Sequence, residues 1–112
     1  MVWKMRLDEV AKVKTDMPDA DFWIQRKGSE GNVGKVLRSY NKGAIGVKVH
    51  KEPVYKSTED SYPAFFDYGI VLPTFLSYWM ENLFNSGHWR RFAYGSLALK
   101  HLRVSDVKRF EL

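Results

Sequence analysis

Gln25-Arg26-Lys27 runs directly into a glycine-rich loop, Gly28 to Gly34. Arginine and glutamine are the side chains that bond two atoms of a base edge at once, arginine to guanine and glutamine to adenine, while lysine supplies charge to phosphates. Asn32 and Ser29 add a short amide and a hydroxyl on the same loop, and Lys35 and Arg38 extend the basic run. A second group lies near the other end of the chain. Trp89-Arg90-Arg91-Phe92 mixes aromatic and guanidinium side chains, and Lys100-His101-Leu102-Arg103 follows Tyr94-Gly95-Ser96. Trp89 and Phe92 are three apart and share one helical face, which predicts that they turn inward and that Arg90 and Arg91 point out. Aromatic residues held on apolar faces favour duplex DNA as the ligand over stacking on a single strand. RNA stays open as a third reading, since the loops have room to splay a strand.

Charge is distributed in blocks along the 112 residues, whose formal net charge is +5. Residues 1–21 carry four basic and five acidic side chains, and 22–58 carry eight and two. Residues 59–83 have four acids and no base, and 84–112 have six bases and two acids. Two cationic blocks thus flank an anionic one. Folded onto one face, they would make a surface that attracts phosphates, with an acidic back.

Other chemistries find little support. There is no cysteine, which removes disulfides, thiolate catalysis and Cys-based zinc sites together. His50, His88 and His101 show neither HxH nor HExxH spacing, so no metal site is expected. Gly34-Lys35 is followed by Val36, which is not the ending of a Walker loop, and GxGxxG is absent. Ser29, His50 and Asp60 can be combined on paper as a triad, but no GxSxG elbow exists. Glu52, Glu59 and Asp60 with Lys51 and Lys56 are the only local carboxylate cluster, in a stretch read as loop. Neither catalysis nor a cofactor is expected. No apolar stretch nears the ~18 residues of a membrane span, and the charged first twenty residues do not resemble a secretory leader. The expected setting is cytoplasmic.

The elements that must position these groups follow from pattern. Trp3–Leu7 and Lys12–Thr15 alternate apolar and polar and predict strands, with one helical turn, Asp8–Ala11, between them. Phe22–Arg26, Lys35–Tyr40 and Ala44–His50 predict further strands. In the last of these, Ile45, Val47 and Val49 face one way and Gly46, Lys48 and His50 the other. Lys51–Asp67 reads as loop, and Tyr68–Leu72 as the start of a short strand. Pro73 opens the clearest helix. Leu72, Phe75, Leu76, Trp79, Met80 and Leu83 follow the three-and-four spacing of one apolar face, and Gly87 is its stop. Short helical turns are predicted at His88–Ala93 and Val104–Val107, with Gly95–Leu99 a loop and Phe110–Leu112 a last strand. The sum is one α+β domain over residues 1–112, a twisted mixed sheet with one main amphipathic helix and short flanking helices.

Leu72-Pro73-Thr74-Phe75-Leu76-Ser77-Tyr78-Trp79-Met80, then Gly95-Ser96, Leu99-Lys100-His101-Leu102 and Ser105-Asp106-Val107, occur in an order that resembles target-recognition domains of type I restriction–modification specificity subunits. Met5 to Thr15 resembles the opening strand–turn–strand of such domains, and Ala44–Val49 a central strand. The resemblance implies a twisted sheet with flanking helices and contact with one half of a bipartite DNA site, on behalf of a methyltransferase and a nuclease. These residues hold one such unit where the family's subunits carry two, and they lack the long spacer helix. A free unit, a homodimer and recruitment by a methyltransferase or other protein are all compatible with that. The expectation is a small non-enzymatic protein that contacts double-stranded DNA through Gln25, Arg26, Lys27, Asn32, Lys35, Arg38, Arg90, Arg91, Lys100 and Arg103. Gln25 and Asn32 would read base edges. The alternative is an interaction module that docks on a larger DNA-processing enzyme and modulates it, anchored by Tyr62, Phe65, Phe66 and Tyr68.

Overall fold

The computed structural model describes residues 6–51, 55–57, 65–67 and 72–111, of which 55–57 and 65–67 are described by backbone alone. Along the chain run α1 (Leu7–Val10), β1 (Ala11–Thr15), β2 (Phe22–Ile24), β3 (Lys27–Gly28), β4 (Val36–Leu37), β5 (Ile45–Val49), β6 (Tyr55–Ser57), β7 (Phe65–Asp67), α2 (Pro73–Asn85), a 3-10 turn (His88–Arg91), β8 (Tyr94–Gly95), β9 (Lys100–His101) and α3 (Val104–Lys108). The class is α+β, as the element order predicts. Among the described residues every strand pairing is antiparallel, where a mixed sheet was the expectation. The reason is local. No helix intervenes between Ala11 and Val49, and a parallel pair needs a crossover of a dozen or more residues.

The main sheet has the order β1-β5-β2-β4. Its register sets Val13 and Phe22 on either side of Val47, and Ile45 and Val36 on either side of Ile24. One face is therefore continuous aliphatic and aromatic surface. Leu7 and Val10 of α1, Leu76 and Met80 of α2, Trp89 of the 3-10 turn, Leu102 and Val107 of α3 close over it in a single buried cluster. Burying side chains of this size stabilises by about 1.5–3 kcal/mol each. Among the described residues no helix packs on the other face. Met17 and Ala20, in the turn after β1, lie against Gly46 there. The Trp23 indole N–H donates to the Met17 carbonyl at 2.9 Å, and Tyr40 meets Trp23 edge-on at 6.2 Å.

α2 begins at Pro73, as predicted, and ends at Ser86-Gly87. Its packed arc differs from the predicted face. Leu76 and Met80 are buried, but Leu72, Phe75 and Trp79 are 67%, 60% and 42% exposed. The six apolar positions cover more of the helix than one sheet can bury, and the packed arc is rotated toward Ser77 and Phe84. Ser77 tolerates burial because its hydroxyl donates to the Thr74 carbonyl at 2.8 Å.

β3, β8 and β9 form a second sheet in the order β3-β9-β8, and β6 pairs with β7. Arg6 and Leu7 lie in a single bridge to Glu111 and in α1, not in a strand, so the strand predicted over Trp3–Leu7 does not reach them. Its remainder, Trp3–Met5, lies outside the described residues, as do Tyr68–Val71, Tyr62 and the carboxylate cluster Glu52, Glu59 and Asp60. Of the predicted protein anchor only the backbone at Phe65 and Phe66 is described.

Candidate nucleic-acid interface

The two basic blocks meet in the small sheet. Lys27 pairs with His101 and Gly28 with Lys100, and the Leu102 N–H donates to the Arg26 carbonyl at 2.8 Å. Neither two-residue strand has a hydrophobic pattern of its own. They are held in place by buried Leu102 and by the β2–β4 pairing immediately before Gln25. Alternation puts Lys27 and His101 on one side of this sheet and Lys100 on the other, above Gly28 and Gly95. On the Lys27 side, Tyr94 stacks on His101 at 5.3 Å, and the Arg103 guanidinium sits 4.3 Å over the Tyr94 ring. Asp106 approaches Arg103 at 3.8 Å.

Beside this ladder, a cleft of about 360 Å³ is lined by Gln25, Arg26, Lys27, Asn41, Lys42 and the Gly43 turn, with no carboxylate among the described residues of its lining. Arg26 Nε donates to the Gly43 carbonyl at 3.2 Å, which fixes the guanidinium stem against the turn. Gln25 Nε2 donates to the Lys27 carbonyl at 2.9 Å, so one amide proton is committed locally while Oε1 is left to accept. Asn32 is committed in the same way, its Nδ2 donating to Ser29 Oγ at 2.6 Å.

The remaining predicted contacts do not line this cleft. Lys35 is exposed, one residue beyond Gly34. Gly34 has φ +92, and the buried Trp89 ring lies where a side chain on Gly34 would stand, which ties the loop to the 3-10 turn. Arg90 and Arg91 point outward from that turn, as predicted from the inward placement of Trp89. Phe92, expected inside with Trp89, is 36% exposed. Arg91 donates to His88 Nδ1 at 3.3 Å and lies over the Phe92 ring at 5.7 Å. Burial among Trp89, Phe92 and Phe110, with the Arg91 charge as a lesser cause, pushes the His88 pKa below the ordinary histidine range. Arg38 is occupied by α2, pairing with Glu81 at 3.2 Å and lying 5.3 Å over the Tyr78 ring.

Sequence reasoning passed over a second set of cations. On the helix-free face of the main sheet, Lys12 of β1 is the direct cross-strand partner of Lys48 of β5. Together with Lys14, His50 and Lys51 they line a hollow of about 570 Å³, in which Asp19 is the only acid among the described residues. Lys48 Nζ donates to Asp19 at 2.7 Å, and this bond raises the lysine pKa and lowers that of the aspartate. The signal was present as the polar side of two alternating strands. Only the pairing register places those two polar sides together.

Antiparallel sheet, helices on one face and, among the described residues, a cluster of cations on the other define an α+β protein. No family model matches the chain, and no curated protein or solved structure matches it. Among the described residues no helix is long and apolar enough to cross a membrane, and no three His, Asp or Glu side chains gather as a metal would require.

Proposed function

We propose that the protein binds double-stranded DNA without chemistry of its own, gripping phosphates at the cleft formed by Arg26, Lys27 and Lys42 and extended through the β3–β9 ladder to Arg103. The observation that carries this reading is the cleft itself. Arg26, Lys27 and Lys42 converge on it, no carboxylate stands among its described lining residues, and the Gly43 turn at its rim is held by Arg26 at its carbonyl and by Asp16 at its N–H. An acid-free cationic concavity concentrates a polyanion, since clefts lined by one sign of charge focus the local field. Gln25 offers a carbonyl oxygen from within the cleft to a base donor. The resemblance to target-recognition domains points the same way.

The test is fluorescence anisotropy with a mixed-sequence duplex, the matching single strand and an RNA duplex across about 50 to 200 mM salt. With about six phosphates engaged, log affinity for duplex DNA falls against log salt with a slope near −5. The Arg26→Gln/Lys27→Gln/Lys42→Gln variant flattens that slope by roughly 2 to 3. A salt-independent affinity, or an unchanged slope in the variant, overturns the proposal. Tighter binding to the single strand or to RNA reassigns the ligand.

A further inference from the structure

We propose that the lysines on the helix-free face form the second half of the DNA contact, so that the duplex lies across the outer surface of the main sheet and its two phosphate strands meet two separate cation clusters. This rests on the proposed DNA-binding reading and extends it to Lys12, Lys14, Lys48 and Lys51.

The first argument is the placement of charge. Lys12 and Lys48 stand directly opposite across an antiparallel ladder, a position in which like charges destabilise the sheet. Asp19 answers one of them at 2.7 Å. Among the described residues neither Lys12 nor Lys14 is in a salt bridge, although Lys12 also feels the Asp19 charge, and both are exposed. Asp16 and Asp21, in the same turn, are hydrogen-bonded to backbone donors, though the Asp21 charge also acts on Lys48. Asp16 accepts the Gly43 N–H at 3.2 Å and Asp21 accepts the Val49 N–H at 2.8 Å. At the β1 edge a neighbouring hollow is bordered by Lys12, Lys14, His50 and Lys108, and its one acid, Asp8, is paired with Arg6 at 3.0 Å. Among the described residues the fold thus keeps more cations than acids on a face that no helix covers. A phosphate strand relieves that repulsion, which makes the block more favourable bound than free.

The second argument is spacing. Ala44, at one end of β5, lines the Arg26–Lys42 cleft, and Val49, at the other, lines the lysine hollow. Five residue steps separate these two wall residues, about 17 Å along the strand, with Lys48 and Lys12 toward the Val49 end and Lys14, opposite Gly46, nearer the middle. The major groove of B-DNA is about 12 Å wide between its rims, and adding the phosphate radii on either side brings the two rows to a similar separation. Leu37 and Ala44 at the cleft and Lys12, Lys14 and Lys48 at the hollow all belong to the outer side of the sheet by strand alternation. The turn holding Met17 and Ala20 rises between the two clusters, over Gly46. A duplex laid with its major groove over that turn places one phosphate row on each cluster.

The experiment compares the native protein, the cleft variant above and Lys12→Gln/Lys14→Gln/Lys51→Gln, each on a mixed-sequence duplex of about two helical turns. Three exposed lysines leave the core untouched, and circular dichroism confirms the fold. The expected result is a salt slope shallower by roughly 2 to 3 for the lysine variant, with the two variants' reductions adding when combined. An unchanged slope in the lysine variant, beside a flattened slope in the cleft variant, overturns the two-cluster footprint and leaves the cleft reading standing. A native protein that ignores duplex DNA removes both.

Discussion

Gly34→Ala is the sharpest test of how the loop and the 3-10 turn hold each other. A Cβ built at Gly34 stands 2.4 Å from Trp89 Cδ1 and 2.8 Å from Cγ, and the backbone there has φ +92. Trp89 is 1% exposed and wedged among His88, Phe92 and Phe110, so its ring has no free rotamer to move into. A left-handed backbone costs an L residue about 1–2 kcal/mol. Overpacking a filled core costs about 1–3 kcal/mol more. The expected loss is therefore about 2–5 kcal/mol, a large part of the ~5–15 kcal/mol by which a domain is usually stable. Two other glycines separate the causes. Gly43 has φ +86 with nothing within 4 Å, so Gly43→Ala carries the backbone penalty alone, about 1–2 kcal/mol. Gly31 has open space and no positive φ, and Gly31→Ala should be neutral or stabilising by up to about 1 kcal/mol. Urea unfolding with a shared m value ranks the three by midpoint. If Gly34→Ala falls no lower than Gly43→Ala, the Trp89 contact does not hold the loop, and the reasoning fails.

Three further outcomes are expected. Lys12→Gln should raise stability by about 0.2–1 kcal/mol by removing the like charge opposite Lys48, while weakening DNA binding, and urea midpoints with anisotropy on one preparation show whether the two move in opposite directions. His88 has a folded pKa below its unfolded value of 6.5, so the unfolded chain takes up the proton first as pH falls. Stability should be full above about pH 6.5 and decline below it until the folded value is passed, and His88→Phe should flatten that decline in melting curves. Arg38→Ala should cost less than about 1 kcal/mol, because its pairing with Glu81 is exposed. Glu81→Gln, which releases Arg38, should steepen the salt slope by about 0.9 if that guanidinium then reaches a phosphate; a shallower slope contradicts the placement.

The elements with a period of their own were legible from the residues. The β1 and β5 alternations and the three-and-four spacing of α2 each state their geometry, because burial on one face selects side chains at that interval. The β3–β9 pairing has no such trace. Lys27-Gly28 and Lys100-His101 are too short to carry a pattern, and they are joined by contacts between parts of the chain far apart in sequence. Arg26 and Lys27 of the cleft were legible as types, yet Lys42 was read only as part of a turn and the grouping of the three was not foreseen. Arg38 reads like Arg26 in the sequence, and only the approach of α2 commits it to Glu81. The lysines opposite each other on β1 and β5 were visible as polar faces, but a ladder register is a tertiary fact. The exposed stripe of Leu72, Phe75 and Trp79 shows the same limit: periodicity finds an apolar arc, and the neighbour decides how much of it is buried.

The pairing of Lys27 with His101 has a kinetic corollary. It closes a chain loop of about seventy residues for two short rungs and one bond to Arg26, and the entropy of that closure must be met before the rungs return anything. The main sheet is nearly local by comparison, with β1 through β5 complete by Val49. Order should therefore arrive at the β3–β9 ladder late in folding and leave it early, so that amide protons there exchange with solvent sooner than those of Phe22 or Val47. The surface proposed to meet the polyanion would then be the last part of the molecule to set, and a duplex bound there would act as its clamp.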